Sequence, residues 1–179
     1  AGRPDPPLNA LPIADFANAS PNYLALLRLP ILAGRLLTDV DLEVTERALA
    51  NPKGGDGFCV VNRSFARQFF GGVNAVGQRL LDDDKVHGCQ IVGVVADYRP
   101  MGAENGPRPQ IFWPNLANRS ASLVVRTTGT PEAAASAIRA TVFSLDRGLI
   151  LDTVWPLEHW VDQSQAQRKF NTLLLSVFT

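Results

Sequence analysis

The chain has 179 residues, 46% hydrophobic and 19% charged, which is enough apolar matter for one medium domain or two small subdomains and too much for a disordered or fibrous chain. Seventeen Lys and Arg balance seventeen Asp and Glu with no long single-sign block, so nucleic-acid binding has no electrostatic footing. No apolar stretch reaches 18 residues, and the start, AGRPDPPLNALP, lacks the charged region and apolar core of a secretory signal.

Pro4, Pro6, Pro7 and Pro12 predict an extended, poorly ordered beginning, as in a linker. Ser20-Pro21 then predicts an N-cap and first helical residue for a short helix, NYLALLR, with Tyr23, Leu24 and Leu27 inward and Leu29-Pro30 as its end. Residues 38–51 predict a polar amphipathic helix. The run Asn51-Pro52-Lys53-Gly54-Gly55-Asp56-Gly57 reads as a loop and a candidate boundary.

From Phe58 the pattern becomes β-rich. FCVVN predicts a short buried strand, and Asn62 caps a helix RSFARQFF that has Phe65 and Phe69 on one face and stops at Gly71-Gly72. Arg79-Leu80-Leu81 and VHGCQIVGVVA flank Asp82-Asp83-Asp84-Lys85 as the two arms of a hairpin. A Pro- and Gly-rich loop over 99–109 leads to a further strand, QIFW. In the last third SLVVRTT reads as a strand. Thr130 and Pro131 open a helix whose stripe is Ala134, Ile138, Val142 and Leu145, ending by Gly148, and LILDTV returns as a strand. That order predicts a split βαβ unit. A final helix over 156–168 is expected to turn Leu157, Trp160 and Val161 inward.

Motifs for chemistry are scarce. GxxxxGK[ST], GxSxG, HExxH and the EF-hand loop are all absent from the sequence. Asp82, Asp83 and Asp84 lack an organising glycine and read as a solvated turn, while His87 and His159 have no partner at ligand spacing. A Cys59/His87 dyad is the sharpest catalytic reading, yet both cysteines sit in apolar strands, where an inert thiol is usual. Cys59 and Cys89 lack CxxC spacing, which leaves free buried thiols, a disulfide between neighbouring strands, or, last, a metal site. No catalytic residue, metal site or cofactor is expected, and the chain reads as a non-enzyme.

The end, QAQRKFNTLLLSVFT, carries Phe170, Leu173, Leu174, Leu175 and Phe178 in a run too short to span a bilayer alone. As an isolated helix in water it would leave an apolar face bare. It therefore docks onto a core or leads into further apolar sequence.

Six stretches in order, SPNYLALLRLPILAGR, VVNRSFARQFFGGVNAVGQRLL, QIVGVVADYR, PRPQIFWP, LVVRT and SQAQRKFNTLLLSVF, resemble the MacB-like periplasmic core domain of FtsX/MacB-type ABC transporter permeases. The resemblance runs from Ser20 to Phe178 and is closest to stand-alone permeases that carry this domain between their first and second membrane helices. It implies an α+β fold in two subdomains: a discontinuous, βαβ-containing porter-like part over 8–50 and 120–167, and an inserted β-rich part with one helix over 51–119. Residues 168–179 would then begin a transmembrane helix, with Arg168, Lys169 and Phe170 at the membrane junction. The function implied is coupling of ATP hydrolysis on a separate cytoplasmic domain to shape change outside the bacterial inner membrane. The implied partners are the chain's own membrane helices, an ABC ATPase subunit or domain, a periplasmic protein, and a second copy in the full permease. On that placement a Cys59–Cys89 disulfide could persist. A free-standing periplasmic ligand-binding or sensor domain is the alternative.

Overall fold

The structure, a computed structural model, describes residues 13–72, 74–81, 86–98, 106–116, 121–151, 154 and 156. The Pro-rich start, Asp82, Asp83 and Asp84, His159, the helix expected over 156–168 and the junction residues Arg168, Lys169 and Phe170 lie outside the described residues, Pro156 excepted. The chain divides into two compact units, one of Ala1–Arg99 with Asn105–Leu123 and one of Pro100–Glu104 with Val124–Thr179.

The first unit is a mixed α/β layer structure. Its elements are β1 (Asp15–Asn18), α1 (Tyr23–Leu27), β2 (Ile31–Gly34), α2 (Asp39–Ala50), β3 (Gly55–Asn62), α3 (Arg63–Phe70), β4 (Arg79–Leu81), β5 (His87–Val95) and β6 (Gln110–Trp113). The six strands form one sheet in the order β1-β6-β3-β5-β2, with β4 also on β5. The long β5 lies parallel to β3 along one edge. Its other edge is shared: β4 pairs antiparallel with residues 88–90 and β2 antiparallel with residues 93–95. β6 runs antiparallel to β3 and parallel to β1.

Alternation along the strands feeds two cores on opposite faces of this sheet. Cys59, Val61, Cys89, Ile91, Val94 and Trp113 meet Phe65 and Ala66 of α3 on one. Val60, Val95 and Phe112 meet Leu24 of α1 and Leu37 on the other. Each large side chain fully buried here contributes about 1.5–3 kcal/mol relative to exposure. At residue 93 the sheet tolerates only glycine, because a Cβ there would run into the Arg35 carbonyl just past β2.

Most elements form where the sequence placed them. α2 is capped by Thr38, and α3 is capped by Asn62 and closed by Gly71 in the left-handed conformation. Phe65 and Phe69 stack with ring centroids 4.3 Å apart. The first helix begins at Tyr23, two residues later than expected, because Pro21 and Asn22 are spent in a turn whose Ser20 carbonyl accepts the Tyr23 amide.

Two expectations are corrected. The boundary expected at residue 51 falls inside one unit, since β1 and β2 join the same sheet as β3, β5 and β6. Glycines 55 and 57 belong to β3 itself, where α2 packs closely: a Cβ on Gly55 would lie 3.1 Å from Ala48 Cβ and one on Gly57 2.6 Å from Thr45 Cγ2. In the second unit, α4 (Pro131–Leu145) opens with its proline at the first turn, as expected, and none of its residues is buried. SLVVRTT forms no strand, nor do the described residues of LILDTV, so the expected βαβ pairing is not present among the described residues. Alternating apolar residues make a strand only when a ladder partner is available.

Candidate functional site

β3 and β5 end side by side, and the polar residues at their ends tie three elements together. Asn62 is fully buried. Its Oδ1 accepts the Phe65 amide at 2.9 Å, which caps α3, and also the Gln110 amide at 2.9 Å, which opens β6. Its Nδ2 donates to the Arg108 carbonyl at 2.7 Å. Asp97, just beyond β5, accepts the Ser64 amide at 2.8 Å, so two first-turn donors of α3 are satisfied from two different strand ends. The carboxylate also faces the positive end of the helix dipole.

Tyr98 extends this joint. Its ring packs on Phe112 with centroids 5.9 Å apart, and its hydroxyl lies 3.5 Å from that of Tyr23 on α1. Burial pushes the phenol well above the usual tyrosine range, and Tyr23 adds to the rise, against an opposing hydrogen bond with Gln110. Tyr98 thus stays a neutral donor and acceptor at any physiological pH.

A second joint fixes α2. Asp41 is buried at 2% exposure and receives the Arg35 guanidinium, with Nη2 to Oδ1 at 2.9 Å. Its Oδ2 also accepts the Thr38 amide and hydroxyl, each at 2.8 Å, completing a capping box. Burial alone would raise the Asp41 carboxyl, but the hydrogen bonds from Arg35 and Thr38 and the charge of Arg35 outweigh it, leaving the group below the usual carboxylate range. The same pairing holds Arg35 above its ordinary value. The Arg35 guanidinium also sits over the Phe58 ring, 6.0 Å from its centroid.

The residues singled out for chemistry are separated. Cys59 and Cys89 are joined to each other across the neighbouring strands β3 and β5, Cα atoms 5.8 Å apart, which leaves no thiol for a Cys59/His87 dyad. His87 instead directs Nε2 at the Asn51 carbonyl, 3.1 Å away. Among the described residues no group of three or more His, Cys, Asp or Glu could hold a metal ion, and no helix is long and apolar enough to cross a membrane. The arrangement provides hydrogen-bonded joints between sheet and helices. The Thr38-x-x-Asp41 spacing, a capping-box signal, could have disclosed the second joint; Asp97, 33 residues from Ser64, left no local signal.

Residues 8–141 match the family model of the MacB-like periplasmic core domain. The chain belongs to this family. Among solved structures, the periplasmic region of MacB from Actinobacillus actinomycetemcomitans is similar at 15% identity and a TM-score of 0.49, over 74% of this chain and 56% of that one. The extracellular domain of the ABC-type transporter YknZ from Gram-positive bacteria is similar at 16% identity and a TM-score of 0.38, over 55% of this chain and 42% of that one. The chain therefore spans about half the length of these two structures. Comparison with curated proteins found no match.

Proposed function

We propose that this family member is the extracytoplasmic domain of an ABC transporter permease of the bacterial inner membrane, and that it converts ATP hydrolysis on a separate cytoplasmic domain into shape change outside the membrane. The observation that carries this reading is the family match over residues 8–141. Such coupling asks no bond-making of the domain. It asks that displacement at the membrane reach the outer surface without being absorbed, which requires stiff bodies and few soft joints. The Asn62 and Asp41 joints and the cross-strand disulfide stiffen the first unit in this way. The partners on this reading are the permease's own membrane helices, entered at Arg168, Lys169 and Phe170, an ABC ATPase subunit or domain, a periplasmic protein, and a second permease copy. No nucleic acid is involved.

A fluorophore on exposed Glu46→Cys in α2 of the full-length permease, reconstituted with its ATPase, tests the coupling. The expected result is a change in emission or anisotropy on ATP binding that reverses on hydrolysis. Turnover of ATP with an unaltered signal there and at a second label on exposed Arg139 of α4 would sink it. A gene encoding no membrane helix beside this segment would favour the free-standing ligand-binding or sensor domain.

A further inference from the structure

We propose that the Cys59–Cys89 pair is a covalent register lock, made on the open chain by a disulfide-type oxidant and sealed when the sheet closes, and therefore a structural oxidation site rather than a reversible redox switch. Three observations converge. First, β3 and β5 are parallel, so no hairpin turn can set their register; the chain between them passes through α3 and β4. A one-residue slip would turn every buried side chain of one strand to the wrong face.

Second, the ladder is irregular at this point. Gly57 stands opposite Cys89 and Cys59 opposite Ile91, but Val60 stands opposite Gly93, so the register shifts immediately after Cys59. The irregularity disrupts the ladder locally, and the bond ties the two strands on its near side.

Third, both cysteines are fully buried, packed with Val61, Phe65, Ala66 and Ile91, and Leu80 of β4 stands opposite Cys89. An attacking thiolate needs access to a sulfur, and here access requires opening α3 and β4. Oxidation therefore precedes closure. One cysteine thiolate attacks the oxidant's disulfide and expels a thiolate; the second attacks the resulting mixed disulfide and expels the other. Two electrons pass to the oxidant, which becomes a dithiol, and the two cysteine protons are released or taken up by it. The chemistry stands without the transporter reading; only the supply of an oxidant in the cell rests on the extracytoplasmic placement.

The test uses the full-length protein, mapped at the peptides containing Cys59 and Cys89. In urea with N-ethylmaleimide and no reductant, neither cysteine should be alkylated, and both should be after reduction. Alkylation of both before reduction would overturn the bond. In native buffer, dithiothreitol should reduce the pair no faster than the β3 and β5 amides become exchangeable with deuterium. Reduction about tenfold or more faster than that opening, with the sheet intact, would overturn the sealed lock and make the pair a switch.

Discussion

The Thr45 hydroxyl of α2 accepts the Phe58 amide of β3 at 3.0 Å while donating to the Asp41 carbonyl one helical turn back, at 2.6 Å. A helix interior is an unusual place for threonine, whose hydroxyl competes with the helix's own ladder. Here that competition is what joins helix to sheet. On its other edge β3 pairs with β6 only at Val60 and Val61, and at Phe58 the Thr45 hydroxyl supplies the acceptor for the amide.

Thr45→Val keeps the shape and removes the acceptor, so it should cost about 1–3 kcal/mol by stranding the half-buried Phe58 amide, while Thr45→Ser should cost less. Gly57→Ala should be destabilising by about 1–3 kcal/mol, since the new Cβ would lie 2.6–2.9 Å from three Thr45 side-chain atoms. The two sites touch, so their effects should not add: in a Thr45→Ala background Gly57→Ala should cost measurably less. Urea denaturation of the four proteins checks this, and strict additivity would mean that the close packing is not what glycine serves.

Asn62→Ala should remove the cap of α3 and leave the Gln110 amide and Arg108 carbonyl without their side-chain partner, at a cost of about 2 kcal/mol or more. Asn62→Asp keeps the two acceptor bonds but sets a buried charge against the Arg108 carbonyl. It should fall between wild type and alanine at neutral pH in thermal unfolding. An alanine variant as stable as wild type would show that the joint is not stabilising.

What the sequence disclosed follows from how local each signal was. Asn62 ahead of a helical run with Gly71 beyond it, and paired apolar arms around the Arg79–Leu81 strand, are local patterns, and they formed as read. β1 and β2 escaped because four-residue strands such as DFAN and ILAG carry almost no period, and each becomes a strand only through its neighbour, β6 or β5. The glycines after Asn51 looked like a linker, yet two of them lie where α2 packs closely on β3. Asp97 was invisible because its partner lies 33 residues away. SLVVRTT misled in the opposite sense: its alternation is strong, and no ladder partner takes it up among the described residues.

The two perturbed groups set opposite pH limits. Asp41 is lowered in the folded state, so its contribution is present above its ordinary value of 3.8 and is lost as pH falls through the lower folded value. Tyr98 is raised, so its contribution is present below the ordinary tyrosine value of 10.0 and is lost as pH rises beyond it. Asp41→Asn should therefore lose stability at neutral pH and flatten the acid limb, whereas Tyr98→Phe should flatten the alkaline limb only. Urea midpoints from pH 2 to 11 measure both, and an acid limb unchanged by Asp41→Asn would remove the carboxylate from the account.

The side of the membrane on which α2 lies decides whether this is an extracytoplasmic permease domain. With Glu46→Cys in the full-length protein, a membrane-impermeant maleimide is added to cells whose outer membrane alone is permeable, and the membrane fraction is then washed at alkaline pH. An extracytoplasmic permease domain is labelled without lysis, and the labelled protein stays in the membrane. Labelling that appears only after lysis of the inner membrane, or a labelled protein released by the wash, would contradict an extracytoplasmic permease domain.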